Sequence, residues 1–222
     1  MAPDDSSTSS LPQAGDSAIG EASARHNFLF MSKFFRHGTK IASIWPSSRF
    51  MAAASVRQVA WSTAKAVVEL GAGTGPITME IIRRLQPQTT FVAIERDRDF
   101  VRILRDRFRE VPNAHIVHGD VCDLQNILED RDIGSHGVDT FVSGLGTPSL
   151  PEAVRHKMFA AIKHHLKPDG FFSNITEFPY YYLRYYQSIF EHVAFQWVPI
   201  NLPPGGVYHC HGIKCNADTA SA

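Results

Sequence analysis

Cysteine is scarce: Cys122, Cys210 and Cys215 are the three in 222 residues. Three can make at most one disulfide, which excludes a disulfide-built scaffold and fits a reducing, cytoplasmic setting. No run of about eighteen apolar residues occurs, so no transmembrane helix is expected. Neither charge is in excess, since 22 Lys and Arg meet 22 Asp and Glu. The total therefore lacks the basic surplus of a typical nucleic-acid binder. Residues 1–24 have no Lys or Arg and no apolar stretch, whereas a secretory signal needs a basic start and an apolar middle. They hold Asp4, Asp5, Asp16 and Glu21 among Ser, Ala and Gly. Such a composition buries too little to offset chain entropy, and a disordered tail over 1–24 is expected. No internal repeat is visible. The length suits one domain with a small appendage.

The balance of charge hides a pattern. Arg25, Lys33, Arg36, Lys40, Arg49, Arg57 and Lys65 precede Glu69 with no acid among them. The rest of the chain is slightly acidic. Within the basic stretch, Phe30, Phe34, Ile41 and Trp45 follow three-to-four spacing, while Lys33, Arg36, His37 and Lys40 fall largely on another side. Apolar rings with interleaved bases suit a helix lying on an anionic membrane; they also suit a helix packed on the body with its bases solvated. Gly38 weakens the helix midway. The expected organisation is a tail (1–24), an amphipathic helical membrane or lid segment (25–60) and a catalytic domain (61–215).

The most informative run is Glu69-Leu70-Gly71-Ala72-Gly73-Thr74-Gly75. Apolar residues from Ala66 to Leu70 read as a buried strand. Ile77, Ile81, Ile82 and Leu85 read as the helix beyond the glycines. A strand, glycine turn and helix bring backbone close to a ligand. The spacing is G-x-G-x-G, not the G-x-G-x-x-G of a dinucleotide fold. A second strand, Thr90 to Ile94, ends at Glu95, where a carboxylate can accept both hydroxyls of a ribose. A third, near His115 to His118, ends in Gly119-Asp120, where a carboxylate can accept an adenine amine. A fourth, Val138 to Ser143, ends in Ser143-Gly144-Leu145-Gly146. A helix from about Pro151 to Leu166 and a turn, Lys167-Pro168-Asp169-Gly170, lead to a fifth strand, Phe171 to Ile175.

In register, these residues resemble the class I S-adenosylmethionine-dependent methyltransferases over about residues 66–200. The resemblance implies an α/β fold: a Rossmann-like seven-stranded mixed sheet with helices on both faces. It implies S-adenosyl-L-methionine as cofactor and S-adenosyl-L-homocysteine as product. The implied cofactor residues are Glu69, Gly71, Ala72, Gly73, Thr74 and Gly75, then Glu95 with Arg96, then Gly119, Asp120 and Val121, and finally Ser143 and Gly144.

Methyltransferases acting on nucleic-acid amines carry a proline pair and an aromatic at the end of the fourth strand. Ser143-Gly144-Leu145-Gly146 has neither, and base flipping needs a stacking pocket. The closer resemblance is to the bacterial phospholipid N-methyltransferases. It rests on the amphipathic basic start, Ile44-Trp45-Pro46-Ser47-Ser48, Ser143-Gly144-Leu145 and Asn201-Leu202-Pro203-Pro204-Gly205-Gly206-Val207-Tyr208. It implies a membrane lipid as substrate, an anionic membrane surface met through residues 25–45, no nucleic-acid partner and a cytoplasmic, peripheral-membrane protein. Two departures matter. Gly146 replaces the family's proline, and Ile175-Thr176-Glu177 replaces its Phe-Thr-Tyr. Val193 to Ile200 also carries no Arg or Lys, where that family has bases suited to phosphate. Glu177 suits a primary amine or a zwitterionic amino-acid head group, so an ornithine lipid competes with phosphatidylethanolamine.

The expected acceptor-side catalytic residues are Glu177, Tyr180 and Ser143, with Tyr181, Arg184 and Trp45 as substrate contacts. Rings such as Tyr180 can surround a cationic amine as methyl groups accumulate, permitting successive transfers. The rival readings are an RNA adenine N-methyltransferase and a cofactor-binding membrane adaptor without turnover. No metal is expected. On a strand, His209 and His211 face away from Cys210, and His164-His165 read as a solvated helix face. The Arg-rich run from Arg96 to Arg109 has interleaved acids and reads as a solvated helix.

Overall fold

The computed structural model describes residues 49–131, 133, 137–178, 180–201 and 204–214. The chain divides into two units, residues 1–38 and 39–222, and the described residues all belong to the second. The tail expected over 1–24 and the membrane-facing helix expected over 25–45, with Trp45, lie outside the described residues.

The strands form one seven-stranded sheet in the order β3-β2-β1-β4-β5-β7-β6. They are β1 (Ala66–Leu70), β2 (Thr90–Glu95), β3 (Ala114–His118), β4 (Val138–Ser143), β5 (Leu166–Thr176), β6 (Phe190–Val198) and β7 (Gly205–Ile213). The first five pair in parallel, and β7 runs antiparallel between β5 and β6. All five residues of β1 are buried, as a central parallel strand covered on both faces requires.

Alternate side chains of the sheet feed two cores. Val67, Phe91, Ala93 and Val142 join α1 (Arg49–Ser55), α2 (Pro76–Ile82) and α3 (Arg98–Phe108) on one face. Val68, Ile94, Phe141 and Phe172 join α4 (Leu124–Glu129), α5 (Glu152–His165) and α6 (Leu183–Ile189) on the other. The period of two along each strand makes this division. Each fully buried Phe or Leu contributes roughly 1.5–3 kcal/mol. Residues 49–59, expected in the separate segment, supply Ala52, Val56 and Val59 to the first core.

Two local features differ from the sequence reading. The fifth strand begins at Leu166 rather than Phe171: Leu166 pairs with Val138 and Phe171 with Thr140, and the residues between form an irregularity in β5. The proline and glycine there mark this irregularity rather than a turn before the strand. His165 is buried, not solvated, at the last turn of α5, its ring against that of His164, which stays exposed. The Arg-rich run does form a helix, α3, capped by Asp97, whose carboxylate accepts from the N–H groups of Asp99 (2.9 Å) and Phe100 (3.2 Å).

Candidate active site

The carboxyl ends of β1, β2, β3 and β4 and the turns beyond them gather the residues expected to hold a cofactor. Gly71 and Ala72 donate to the carbonyl of Ile94 (2.9 and 3.2 Å), which closes the glycine turn against the end of β2. Gly71 (φ 77), Gly73 (φ 54) and Gly75 (φ 87) all lie in the left-handed region, which an L side chain rarely adopts. Gly75 then caps α2, with Pro76 in its first turn. A Cβ on Gly71 would collide with Leu145, and one on Gly144 would stand 2.7 Å from the Gly71 carbonyl oxygen. Gly73 differs: a Cβ there would meet nothing within 4 Å. The turn is packed from behind and open in front, as a cradle for a ligand must be.

Three acids border this turn. Glu69 is fully buried, and its Oε2 accepts from the Thr78 hydroxyl at 2.7 Å. Its Oε1 is buried without a hydrogen-bond partner among the described residues. Burial, with a smaller contribution from the Glu95 charge, pushes the Glu69 carboxyl up to about 8, although the Thr78 bond opposes the shift. Glu95 is half-buried at the end of β2. Its Oε2 accepts from the Gly73 N–H (2.8 Å) and its Oε1 from the Asp97 N–H (2.7 Å). Each oxygen keeps a lone pair for a further donor. Asp120 follows β3, where Gly119 donates to the Glu95 carbonyl (3.0 Å). Asp120 Oδ1 accepts from Cys122 N–H (2.9 Å), and exposed Arg96 lies 3.9 Å from Oδ2. Val121 is buried in the short turn after it, and Thr74 is buried within the glycine turn. An orphaned buried carboxylate oxygen, an open glycine cradle and two further acids at strand ends fit a polar ligand carrying positive charge and hydroxyls.

Ser143 ends β4 inside a hydrogen-bonded chain. Leu145 N–H donates to Ser143 Oγ (3.2 Å), and Thr147 Oγ1 donates to Asn174 Oδ1 (2.7 Å). With the Thr147 proton used, the 3.1 Å contact between the hydroxyls must run from Ser143 to Thr147. The chain locks the β4 end to β5 and directs its donors away from solvent.

A cleft opens beside this chain. Its walls include Gly144, Leu145, Asn174, Glu177, Phe178 and Tyr182, as well as Met51 and Asn201. Glu177 is its one ionisable carboxylate, and no Lys or Arg lines it among the described residues. Burial raises the Glu177 carboxyl above its usual range. Of the tyrosines, Tyr182 lines the cleft, and its hydroxyl lies 3.5 Å from Ser149 Oγ. Tyr180 and Tyr181 are exposed outside it, and Arg184 is exposed on α6. Ser143 is buried behind the wall rather than on it.

Thr78, Thr147, Asn174 and Tyr182 were not singled out by sequence. A Thr nine residues beyond a buried acid and on the next helix was the available signal for the first. The histidines of β7 have ordinary structural partners. His209 bonds Ser173 Oγ (2.9 Å) and Gln196 Oε1 (3.2 Å), and His211 stacks on His192.

Comparison with known proteins adds to this geometry. Residues 67–170 match a family described as a methyltransferase domain. The chain is 48% identical over 187 residues to an ornithine lipid N-methyltransferase of Singulisphaera acidiphila, covering 84% of this chain and 96% of that protein. A ribosomal RNA small subunit methyltransferase A of a Synechococcus is 49% identical over only 59 residues, 26% of this chain and 20% of its own length. Among solved structures, an O-methyltransferase of tomaymycin synthesis from Streptomyces achromogenes, in complex with SAM, superposes with a TM-score of 0.58 at 16% identity, covering 86% of this chain and 90% of that one. A spermidine synthase superposes with a TM-score of 0.53 at 18% identity, covering 77% of this chain, which spans 64% of the synthase. At these identities the structural matches speak for the fold.

Proposed function

The chain belongs to the family of the ornithine lipid N-methyltransferase, with a methyltransferase-domain core, and from this premise we propose that it moves methyl groups from S-adenosylmethionine to the amine of a membrane lipid head group, an ornithine lipid first. The observation that carries the head-group assignment is the charge of the cleft: a half-buried Glu177 and no base among its described lining residues. A phosphate-bearing head group calls for a cation there; a primary amine calls for a carboxylate. The 48% identity over nearly the whole relative supports the same lipid class. The RNA reading has only short matches to ribosomal RNA enzymes behind it. No helix among the described residues is long and apolar enough to cross a membrane, and a peripheral position, with residues 25–45 on an anionic surface, is part of this proposal.

When bound, S-adenosylmethionine supplies a methyl group on a cationic sulfur. The protein's own residues do the rest. Gly71, Gly73 and Gly75 let the backbone approach it, Glu69 answers positive charge from beneath, Glu95 accepts ribose hydroxyls, and Asp120 accepts the adenine amine, with Arg96 and Val121 beside it. The acceptor amine must lose its proton to attack. An amine of pKa about 10.4 needs roughly 4.6 kcal/mol to be neutral at pH 7. Glu177 offsets part of this, because burial makes its carboxylate a stronger base and holds it where the proton leaves. Tyr182 and Phe178 offer rings to the cation that builds up as methyl groups are added. Gly144 and Leu145 pack on Gly71 and also line the cleft, and would hold acceptor and methyl group near each other, where positioning supplies most of the rate. Transfer of labelled methyl from S-adenosylmethionine into the lipid phase of vesicles carrying ornithine lipid tests this reading. Label recovered in added RNA, with none in lipid, overturns it.

A further inference from the structure

Six large apolar side chains are exposed among the described residues: Phe50, Phe178, Tyr180, Tyr181, Trp197 and Ile200, from 39% to 78% accessible. They come from α1, the β5–α6 connection and the end of β6, which are far apart in sequence. Their positions share one feature. Phe178 lines the cleft; Phe50, Tyr181 and Ile200 each adjoin a cleft residue, respectively Met51, Tyr182 and Asn201. Ring contacts make two further groups. Phe178 and Tyr181 both touch Tyr182, with centroids 6.4 and 4.9 Å apart. Tyr180 touches Phe195 (5.1 Å), which touches Trp197 (6.2 Å). Exposed large apolar groups scattered singly need no explanation; several on or next in sequence to the walls of one cleft do. Tyr180 is also the one non-glycine described residue with positive φ, at 64°, a conformation that costs roughly 1–3 kcal/mol and is retained where a site needs it.

Resting on the reading that the cleft takes a lipid head group, we propose that this aromatic rim is a bilayer-docking surface that inserts around the cleft mouth. The occupant is a membrane rather than a protein for three reasons. Phe178 lines the cleft and Tyr181 packs on its Tyr182, so exposed rings stand where a head group must enter while its acyl chains stay in the bilayer. Its Tyr and Trp residues are the amphipathic rings that settle at the membrane–water boundary. It is continuous with a basic, acid-free stretch of sequence that ends at Lys65, and Arg49 of that stretch sits 4.8 Å over the Phe50 ring. Bases attract an anionic surface and the rings then enter it, two signals of different physical kind. The docked surface sets the depth at which Glu177 meets an amine, so the substrate need not leave the bilayer.

The test uses the full chain, the double variant Trp197→Ser/Ile200→Ser and the single variant Ile200→Trp. None of these side chains lines the cleft. Binding to phosphatidylglycerol vesicles carrying ornithine lipid is read by co-sedimentation at low salt, and at salt concentrated enough to shrink the screening length to about 3 Å. The rim predicts that the Ser variant loses roughly ten-fold or more in binding at both salts, and that Ile200→Trp gains. Equal binding of parent and Ser variant at high salt overturns the rim. Methyl transfer to a water-soluble, short-chain ornithine lipid is measured in parallel. The Ser variant should keep parental turnover there while losing it on vesicles. A parent that methylates neither substrate defeats the lipid reading, and the binding comparison still decides the rim by itself.

Discussion

Glu69 is the buried acid most sensitive to what binds beside it. Its carboxyl is raised to about 8 by burial, and one of its oxygens has no partner among the described residues. At pH 7 it is therefore about nine-tenths protonated, at pH 8 about half, and at pH 9 about a tenth. A ligand that brings positive charge to the glycine cradle favours the ionised form and drives the proton off. Binding of S-adenosylmethionine at pH 7 should then release protons from Glu69, at most about 0.9, and far fewer at pH 9. Calorimetric titrations in buffers of different ionisation enthalpy measure that number. Glu69→Gln serves as the reference, since proton exchange by ligand or buffer is common to both proteins. The variant should also bind about ten- to a hundred-fold more weakly, as loss of a charged partner implies. The same shift governs the free protein. Between pH 4.5 and about 8 the folded state holds a proton that the unfolded state has lost. Stability from this group is complete below pH 4.5 and declines as pH rises towards 8, by at most about 1.4 kcal/mol per unit, and Glu69→Gln removes that slope. Equal proton release by parent and variant at pH 7 would refute the reasoning.

Two further substitutions probe the neighbouring contacts. Glu95→Ala removes the acceptor for the Gly73 and Asp97 N–H groups and the acceptor proposed for ribose; calorimetric affinity for S-adenosylmethionine should fall at least about a hundred-fold, two charge-assisted bonds being lost, and unchanged affinity defeats the assignment. Thr147→Val leaves the Ser143 hydroxyl without its acceptor and Asn174 Oδ1 without its donor; urea unfolding should show a loss of about 1–3 kcal/mol, and a change below the error of the extrapolation contradicts the directional chain.

How far the sequence could be read follows from the range of each signal. The strands carrying Val67 to Leu70 and Phe91 to Ile94 are continuous apolar runs, and a glycine turn between a buried strand and an apolar helix is a local pattern. The parallel α/β order was therefore legible, down to the acids at the ends of β2 and β3. Other features depend on contacts between distant residues. Thr147 and Asn174 lie 27 residues apart and meet because β4 and β5 pair. In the run from Tyr180 to Tyr186 neither period two nor period 3.6 singles out one ring. Tyr182, not Tyr180, meets the cleft because the backbone turns left-handed at Tyr180 and swings that ring onto Phe195. His165 reads as solvated from sequence since one residue separates a solvated helix end from a buried strand start. The aromatic rim was unreadable for the same reason: its members share a surface only after β6 folds beside β7.

The cleft is proposed to methylate a lipid amine. The most direct measurement is mass spectrometry of lipids after incubation with S-adenosylmethionine, with ornithine lipid and phosphatidylethanolamine offered in parallel mixed vesicles. A ladder of successive methyl additions on ornithine lipid is expected, reduced when Glu177 is changed to Gln. Cofactor binding with no mass gain on either lipid would contradict it.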